Sequence, residues 1–183
     1  MVLVALLGTG CSFGRDLPWE PVDRTHKGGG WVGPKFSIAM PEGWIRLNDG
    51  EDESLTVTRD GFLLQSISVR RLDVDEPLEH TKKQLREGMS AKELAEVLVD
   101  DLRARPGFSG VKVLETRPAT LSGQPGFRVT VSFVDDGLRR QAVLAGVLAG
   151  EDLWRVSYVA PARHYFALDL PAFEAALQSF RIR

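Results

Sequence analysis

The chain has 183 residues, of which 23 are basic and 25 acidic, for a net charge of −2. That balance lacks the basic stripe of a nucleic-acid binder, so nucleic acid is excluded as an expected partner. The single Cys excludes an intrachain disulfide framework and any multi-Cys zinc or iron–sulfur site, and the 43% apolar content is that of an ordinary globular domain.

Val2 to Leu7 is an apolar run, VLVALL, followed by Gly8, Thr9, Gly10 and then Cys11. The run is far too short to span a bilayer, which takes about 20 residues. Small residues before a Cys, after a Leu-rich run, resemble the processing site of a bacterial lipoprotein. That resemblance implies cleavage before Cys11, a diacylglyceryl group on its thiol and a membrane as partner. The pattern wants an aliphatic residue three before the Cys, where this chain has Gly8, with Leu7 one further back. No Lys or Arg precedes the run, so the initiation site is expected upstream. A second reading makes Cys11 an ordinary apolar residue of a buried N-terminal strand. A third, a dinucleotide fingerprint through Gly8, Gly10 and Gly14, must open a helix inside a βαβ unit, and Pro18 and Pro21 follow instead.

Residues 12–30 read as a flexible tether. They carry Pro18, Pro21, several charges and Gly28-Gly29-Gly30, without apolar periodicity. As a coil they would reach roughly 25 Å. The expected division is thus a signal remnant at 1–11, a tether at 12–30 and one domain at 31–183.

Phe36 to Met40 alternates as a strand that Pro41-Glu42-Gly43 stops, and Trp44 to Leu47 resumes it. Asn48 to Glu53 is acidic but lacks calcium-loop spacing, so a solvated turn is expected. Asp60-Gly61 suggests a two-residue hairpin between Leu55–Arg59 and Phe62–Leu72. In the second of these strands the apolar parity slips between Leu64 and Ile67, which implies a bulge or a strand buried on both faces. Helical signals begin after Pro77 and peak at Ser90 and Glu93, a capping box. Leu94, Val97, Leu98 and Leu102 then share one face until Pro106-Gly107 ends the helix.

Val111 to Arg117 is strand-like, and Phe127, Val129, Val131 and Phe133 keep a period of two. Asp135-Asp136-Gly137 is a hairpin turn. Ala142 to Ala149 is apolar on both parities, as a strand covered on both faces must be. Trp154, Val156, Tyr158 and Ala160 line one face of the next strand. A final helix is expected from about Leu170, with Pro171 in its first turn. Hairpin-joined strands with one central and one terminal helix predict an α+β fold, an antiparallel sheet flanked by helices.

The stretch Phe36-Ser37-Ile38-Ala39-Met40-Pro41-Glu42-Gly43-Trp44 resembles the opening signature of the PsbP-like superfamily. Leu121-Ser122-Gly123-Gln124-Pro125-Gly126 before a strand, and Phe173 through Ser179-Phe180-Arg181 at the close, resemble it too. The resemblance covers Trp31 to Arg183 and implies an αβα sandwich used for binding and scaffolding. Its members include bacterial lipoproteins, a photosystem II extrinsic subunit, a Ran-binding import factor and chaperones of type VI secretion effectors. It brings no shared catalytic residues.

The residues themselves offer little chemistry. His26, His80 and His164 show no metal-ligand spacing, so neither a metal nor a cofactor is expected. His26 lies in the tether, His80 at a solvated helix start and His164 at a strand-to-helix junction. Ser109-Gly110-Val111-Lys112 fits Ser-x-x-Lys, but a strand points those side chains apart. Asp100-Asp101 and Asp135-Asp136 read as solvated pairs. The expected protein is therefore not an enzyme. It is a lipid-anchored binding or scaffold domain on the periplasmic side of the cell envelope. The alternative is a cytosolic chaperone of the type VI effector kind that binds hydrophobic segments.

Overall fold

The period-two patterning of the C-terminal half builds long strands joined by tight turns. In a computed structural model describing residues 19–29, 35–47, 54–61 and 63–183, these are β7 (Phe108–Leu121), β8 (Gln124–Asp135), β9 (Leu138–Ala149) and β10 (Asp152–Pro161). Asp136 and Gly137 between β8 and β9 take φ of 47° and 78°. Two positive φ values in a two-residue turn match the right-handed twist of the strands they join.

Earlier in the chain come β1 (Trp19–Pro21), β2 (Thr25–Gly28), β3 (Phe36–Ala39), β4 (Ile45–Leu47), β5 (Leu55–Thr58) and β6 (Ser66–Asp73). Helix α1 (Ala91–Ala104) follows β6, and α2 (Tyr165–Ser179) and β11 (Arg181–Ile182) close the chain. Eight strands form one antiparallel sheet in the order β1-β4-β5-β6-β10-β9-β8-β7, and β11-β3-β2 form a smaller one.

Strand alternation sorts the core into two layers. On one face of the large sheet Val143, Ala145, Val147, Trp154, Val156 and Tyr158 pack with Phe166, Phe173 and Ala176 of α2, and with Phe36 and Ile38 of the small sheet. Tyr158 stacks on Phe166 and Phe173 at ring-centroid distances of 5.3 and 5.5 Å. On the other face Phe127, Val129, Val131, Phe133, Ala142 and Leu144 pack against Leu94, Leu98 and Val99 of α1. Residues of opposite parity in β9 thus serve opposite helices, and the architecture is an αβα sandwich.

Several expectations are corrected. Residues 19–28 of the expected tether form β1, paired with β4, and β2, paired with β3. Pro21 sits on a sheet edge, where a missing N–H costs nothing, so its presence did not exclude a strand. Asp60-Gly61 does not make a two-residue hairpin: β5 ends at Thr58 and β6 begins at Ser66. The parity slip before Ile67 marks the end of that longer loop. The stretch after Pro77 is not helical before Ala91; it is a loop closed by a bridge between Pro77 and Gln84. Helix α2 starts at Tyr165, so Pro171 lies inside it rather than in its first turn. The capping box of α1 is as read: Ser90 Oγ accepts from Glu93 N, and Ser90 N donates to Glu93 Oε2 at 2.8 Å.

Candidate functional site

The face of the large sheet under α1 is apolar across its β8–β9 half and at Leu72 and Leu153 of the β6–β10 half. On the β6–β10 half the same face carries Ser66, Ser68 and Arg70 from β6 and Arg155, Ser157 and Val159 from β10, because these residues are register partners. The loop at residues 78–82 and the C-terminal half of α1 rise over them. Between helix and sheet they leave a cleft of about 380 Å³.

Its floor is basic. Arg70 lies opposite Arg155 in the β6–β10 ladder, so both side chains leave the sheet on the same face. Arg140 enters from β9 and is held by Asp135, with Nε 3.0 Å from Oδ2, and donates from Nη2 to the carbonyl of Leu63 at 2.9 Å. Arg105 stacks over the Phe108 ring at 4.6 Å. The Nε of Arg155, like that of Arg140, is shut away from solvent with no hydrogen-bond partner among the described residues, but no carboxylate pairs with Arg155 as Asp135 does with Arg140. Burial, and secondly the charge of Arg70, push its guanidinium down to about 10. Hydroxyls complete the floor, with Ser68 Oγ and Ser157 Oγ 2.8 Å apart. Leu98, Leu102, Phe133 and Leu144 form the apolar wall.

The cleft rim is built by Asp101. Its Oδ1 accepts from the backbone N–H groups of His80 at 2.9 Å and Thr81 at 2.8 Å, and from Thr81 Oγ1 at 3.1 Å. Asp100 receives Lys83 Nζ at 2.9 Å. The expected solvated pair on α1 is instead a clamp that fixes the 80–83 loop to the helix. His80, expected at a solvated helix start, lies in that loop and lines the cleft.

The other singled-out residues do not converge on it. His26 is on β2 with its ring 5.9 Å from Phe36, and His164 precedes α2 with its ring edge on Tyr165 at 5.2 Å. Ser109 and Lys112 lie on β7 with a register shift between them. Among the described residues, no group of three or more His, Cys, Asp or Glu could hold a metal ion. Cys11, the expected lipidation site, lies outside the described residues. Arg70 and Arg155 do not stand out in the sequence because the apolar face of β10, Trp154 to Ala160, dominates its pattern. The signal was the opposite parity: Ser-x-Ser-x-Arg in β6 and Arg-x-Ser in β10.

No protein-family model matches the chain, and no curated protein matches it in sequence. Solved structures do match. The Ran-binding protein Mog1p of Saccharomyces cerevisiae superposes with a TM-score of 0.59 at 14% identity, over 89% of this chain and 96% of that one. The cyanobacterial PsbP protein, CyanoP, of Synechocystis sp. PCC 6803 gives 0.58 at 11% identity, over 96% and 99%. Protein PA94 of Pseudomonas aeruginosa gives 0.54 at 13% identity, over 88% and 99%. Likeness at such low identity is a likeness of architecture, and in that sense the chain has the PsbP-like fold, the αβα sandwich shared by PsbP and Mog1.

Proposed function

We propose that this protein is a non-catalytic binding domain whose ligand site is the arginine-floored cleft, held at the extracytoplasmic face of a membrane by a lipid on Cys11. The observation that carries the reading is Arg155, whose Nε is enclosed beneath α1 without a hydrogen-bond partner among the described residues. A buried polar group without a partner costs stability, and such costs are retained where a ligand supplies the partner. The use of this fold by Mog1p, a Ran-binding protein, supports a binding role over catalysis. Gly8-Thr9-Gly10 before Cys11 supports the anchor. Among the described residues no helix is long and apolar enough to cross a membrane.

Chaperoning of hydrophobic segments would need a continuous exposed apolar groove. The exposed large apolar side chains among the described residues are Leu63, Val113, Leu114, Leu138 and Leu168. They are spread over the β5–β6 loop, β7, β9 and α2, which favours the cleft as the binding site.

Metabolic labelling with radioactive palmitate tests the anchor. The wild-type protein is expected to take up label and sediment with membranes, and Cys11→Ser to do neither. An unlabelled, soluble wild-type protein would remove the anchor and place the domain in the cytoplasm. A fragment screen by NMR tests the cleft. Binders are expected to shift Ser157 and Leu98 and to be lost in Ser66→Trp, which fills the floor. Binders that all map elsewhere would refute it.

A further inference from the structure

We propose that the cleft binds an organic oxyanion, a carboxylate or phosphate group carrying an apolar portion, gripped between Arg70 and Arg155. This rests on the reading of the cleft as the binding site and adds the chemistry of its ligand.

Two like charges directly opposite each other across an antiparallel ladder are destabilising. Arg70 and Arg155 hold that position. Asp101 and Glu79 favour the charge of Arg155 from a distance, but the carboxylates that line the cleft make their hydrogen bonds and ion pairs with other groups. Asp101 Oδ1 is filled by three donors from residues 80 and 81. Asp135 pairs with Arg140. Glu79 has its side chain 84% exposed and lies 3.8 Å from His80 Nε2. None of them hydrogen-bonds Arg155, whose Nε stays without a partner among the described residues. An oxyanion between the two guanidiniums would turn their repulsion into two charge-assisted contacts.

The shape of the group follows from the donors. A guanidinium presents a planar fork that matches the paired oxygens of a carboxylate or phosphate. Ser68 and Ser157 stand on the same face; one hydroxyl proton is spent on the bond between them, and the other is left to donate to a remaining oxygen. The floor passes from Ser157 and Val159 directly to Leu144 and Ala142, and Leu98 and Leu102 of α1 stand above. The anionic head therefore has an apolar surface beside it, and about 380 Å³ leaves room for a short chain or a ring. A metal cation is disfavoured by the arginine floor, and a neutral solute would leave the two guanidiniums opposed.

The test is calorimetry and ¹⁵N NMR on the full chain with inorganic phosphate, hexyl phosphate, heptanoate and 1-hexanol. At least one of hexyl phosphate and heptanoate is expected to bind saturably, shifting Ser157, His80 and Leu98, and more tightly than inorganic phosphate; which of them binds better separates phosphate from carboxylate. Arg155→Gln and Arg70→Gln should each weaken that binding by about tenfold or more, the scale of one lost charge-assisted bidentate contact. Arg155→Lys, which keeps the charge, should retain part of it, and Lys92→Gln in the first turn of α1, where the side chain is 82% exposed, should change nothing. Equal affinity in Arg155→Gln, or no saturable binding of any of the three anions, overturns the proposal. If 1-hexanol binds as well as hexyl phosphate and shifts the cleft, the oxyanion is refuted while the cleft stands as a binding site. Anion-induced shifts confined to other surfaces overturn both.

Discussion

Asp169 on α2 takes Arg59 Nη1 at 2.7 Å and Gln65 Nε2 at 3.1 Å, and so ties the C-terminal helix to both ends of the β5–β6 loop across more than a hundred residues of chain. The Asp169 side chain is 3% exposed and that of Arg59 35%. A buried carboxylate with two donors is stable only while both remain. Asp169→Asn keeps the shape but loses the charge, and a hydrogen bond to a charged group is worth about 1.5–3 kcal/mol. With Arg59 partly in water, the loss should fall near the lower end, about 2 kcal/mol, read from the urea midpoint at constant slope.

Two glycines where neighbouring strands meet carry a steeper penalty. A Cβ on Gly126 of β8 would run into the carbonyl oxygen of Gly146 on β9, and backbone cannot step aside. A Cβ on Gly146 would lie 2.7 Å from Cζ of Phe127, a side chain that is 1% exposed and close-packed. Overpacking of this kind costs about 1–3 kcal/mol. Both alanine variants should lower Tm, Gly126→Ala more than Gly146→Ala, by several degrees for a chain of this size. Equal or raised melting temperatures in calorimetry would show that the strands separate more easily than the structure implies.

What could be read from sequence was what local periodicity encodes. Phe127 to Phe133, Trp154 to Ala160 and the Ser90 cap each carry their geometry within a few residues, and each lies where expected. The misplaced elements depend on distant partners. β1 exists because Glu20 pairs with Arg46 and Pro21 with Ile45 across the sheet, which no pattern within residues 19–21 announces. Tyr165 to Asp169 join α2 ahead of Pro171 because Tyr158 donates to the carbonyls of Tyr165 and Phe166 and Asp169 binds Arg59. The cleft was hidden for a related reason. Arg155 and Ser157 look like a solvent-facing parity until the 78–82 loop and α1 close over them.

That closure has a pH dependence. Asp100 is held below its ordinary pKa of 3.8, chiefly by the hydrogen bond from Lys83, with burial opposing and Arg103 assisting. A carboxylate of lowered pKa stabilises the fold above its unfolded value, and the contribution disappears as pH falls through the folded one. The Asp100 side chain is 39% exposed, so the contact is worth about 0.5 kcal/mol. Asp100→Asn should be less stable than wild type by about that amount at neutral pH. The gap should close as pH falls below the ordinary carboxylate value, measured as paired urea midpoints. A gap that persists in acid would assign the effect to side-chain packing instead.

Arg155 offers the sharpest separation of binding from stability. Burial and then Arg70 oppose its charge, and Asp101 and Glu79 offset them only in part. Replacing a buried charge that lacks good partners by an apolar side chain of similar length is often neutral or stabilising. Methionine keeps an unbranched stem of similar length and removes the guanidinium. Arg155→Met should therefore raise stability by about 1 kcal/mol, a gain of about 2–4 °C in Tm, while abolishing binding of hexyl phosphate or heptanoate. Natural binding sites give up stability for function in this manner. Arg155→Met that unfolds more readily than wild type would make Arg155 a structural residue, and the cleft would lose the observation on which its assignment stands.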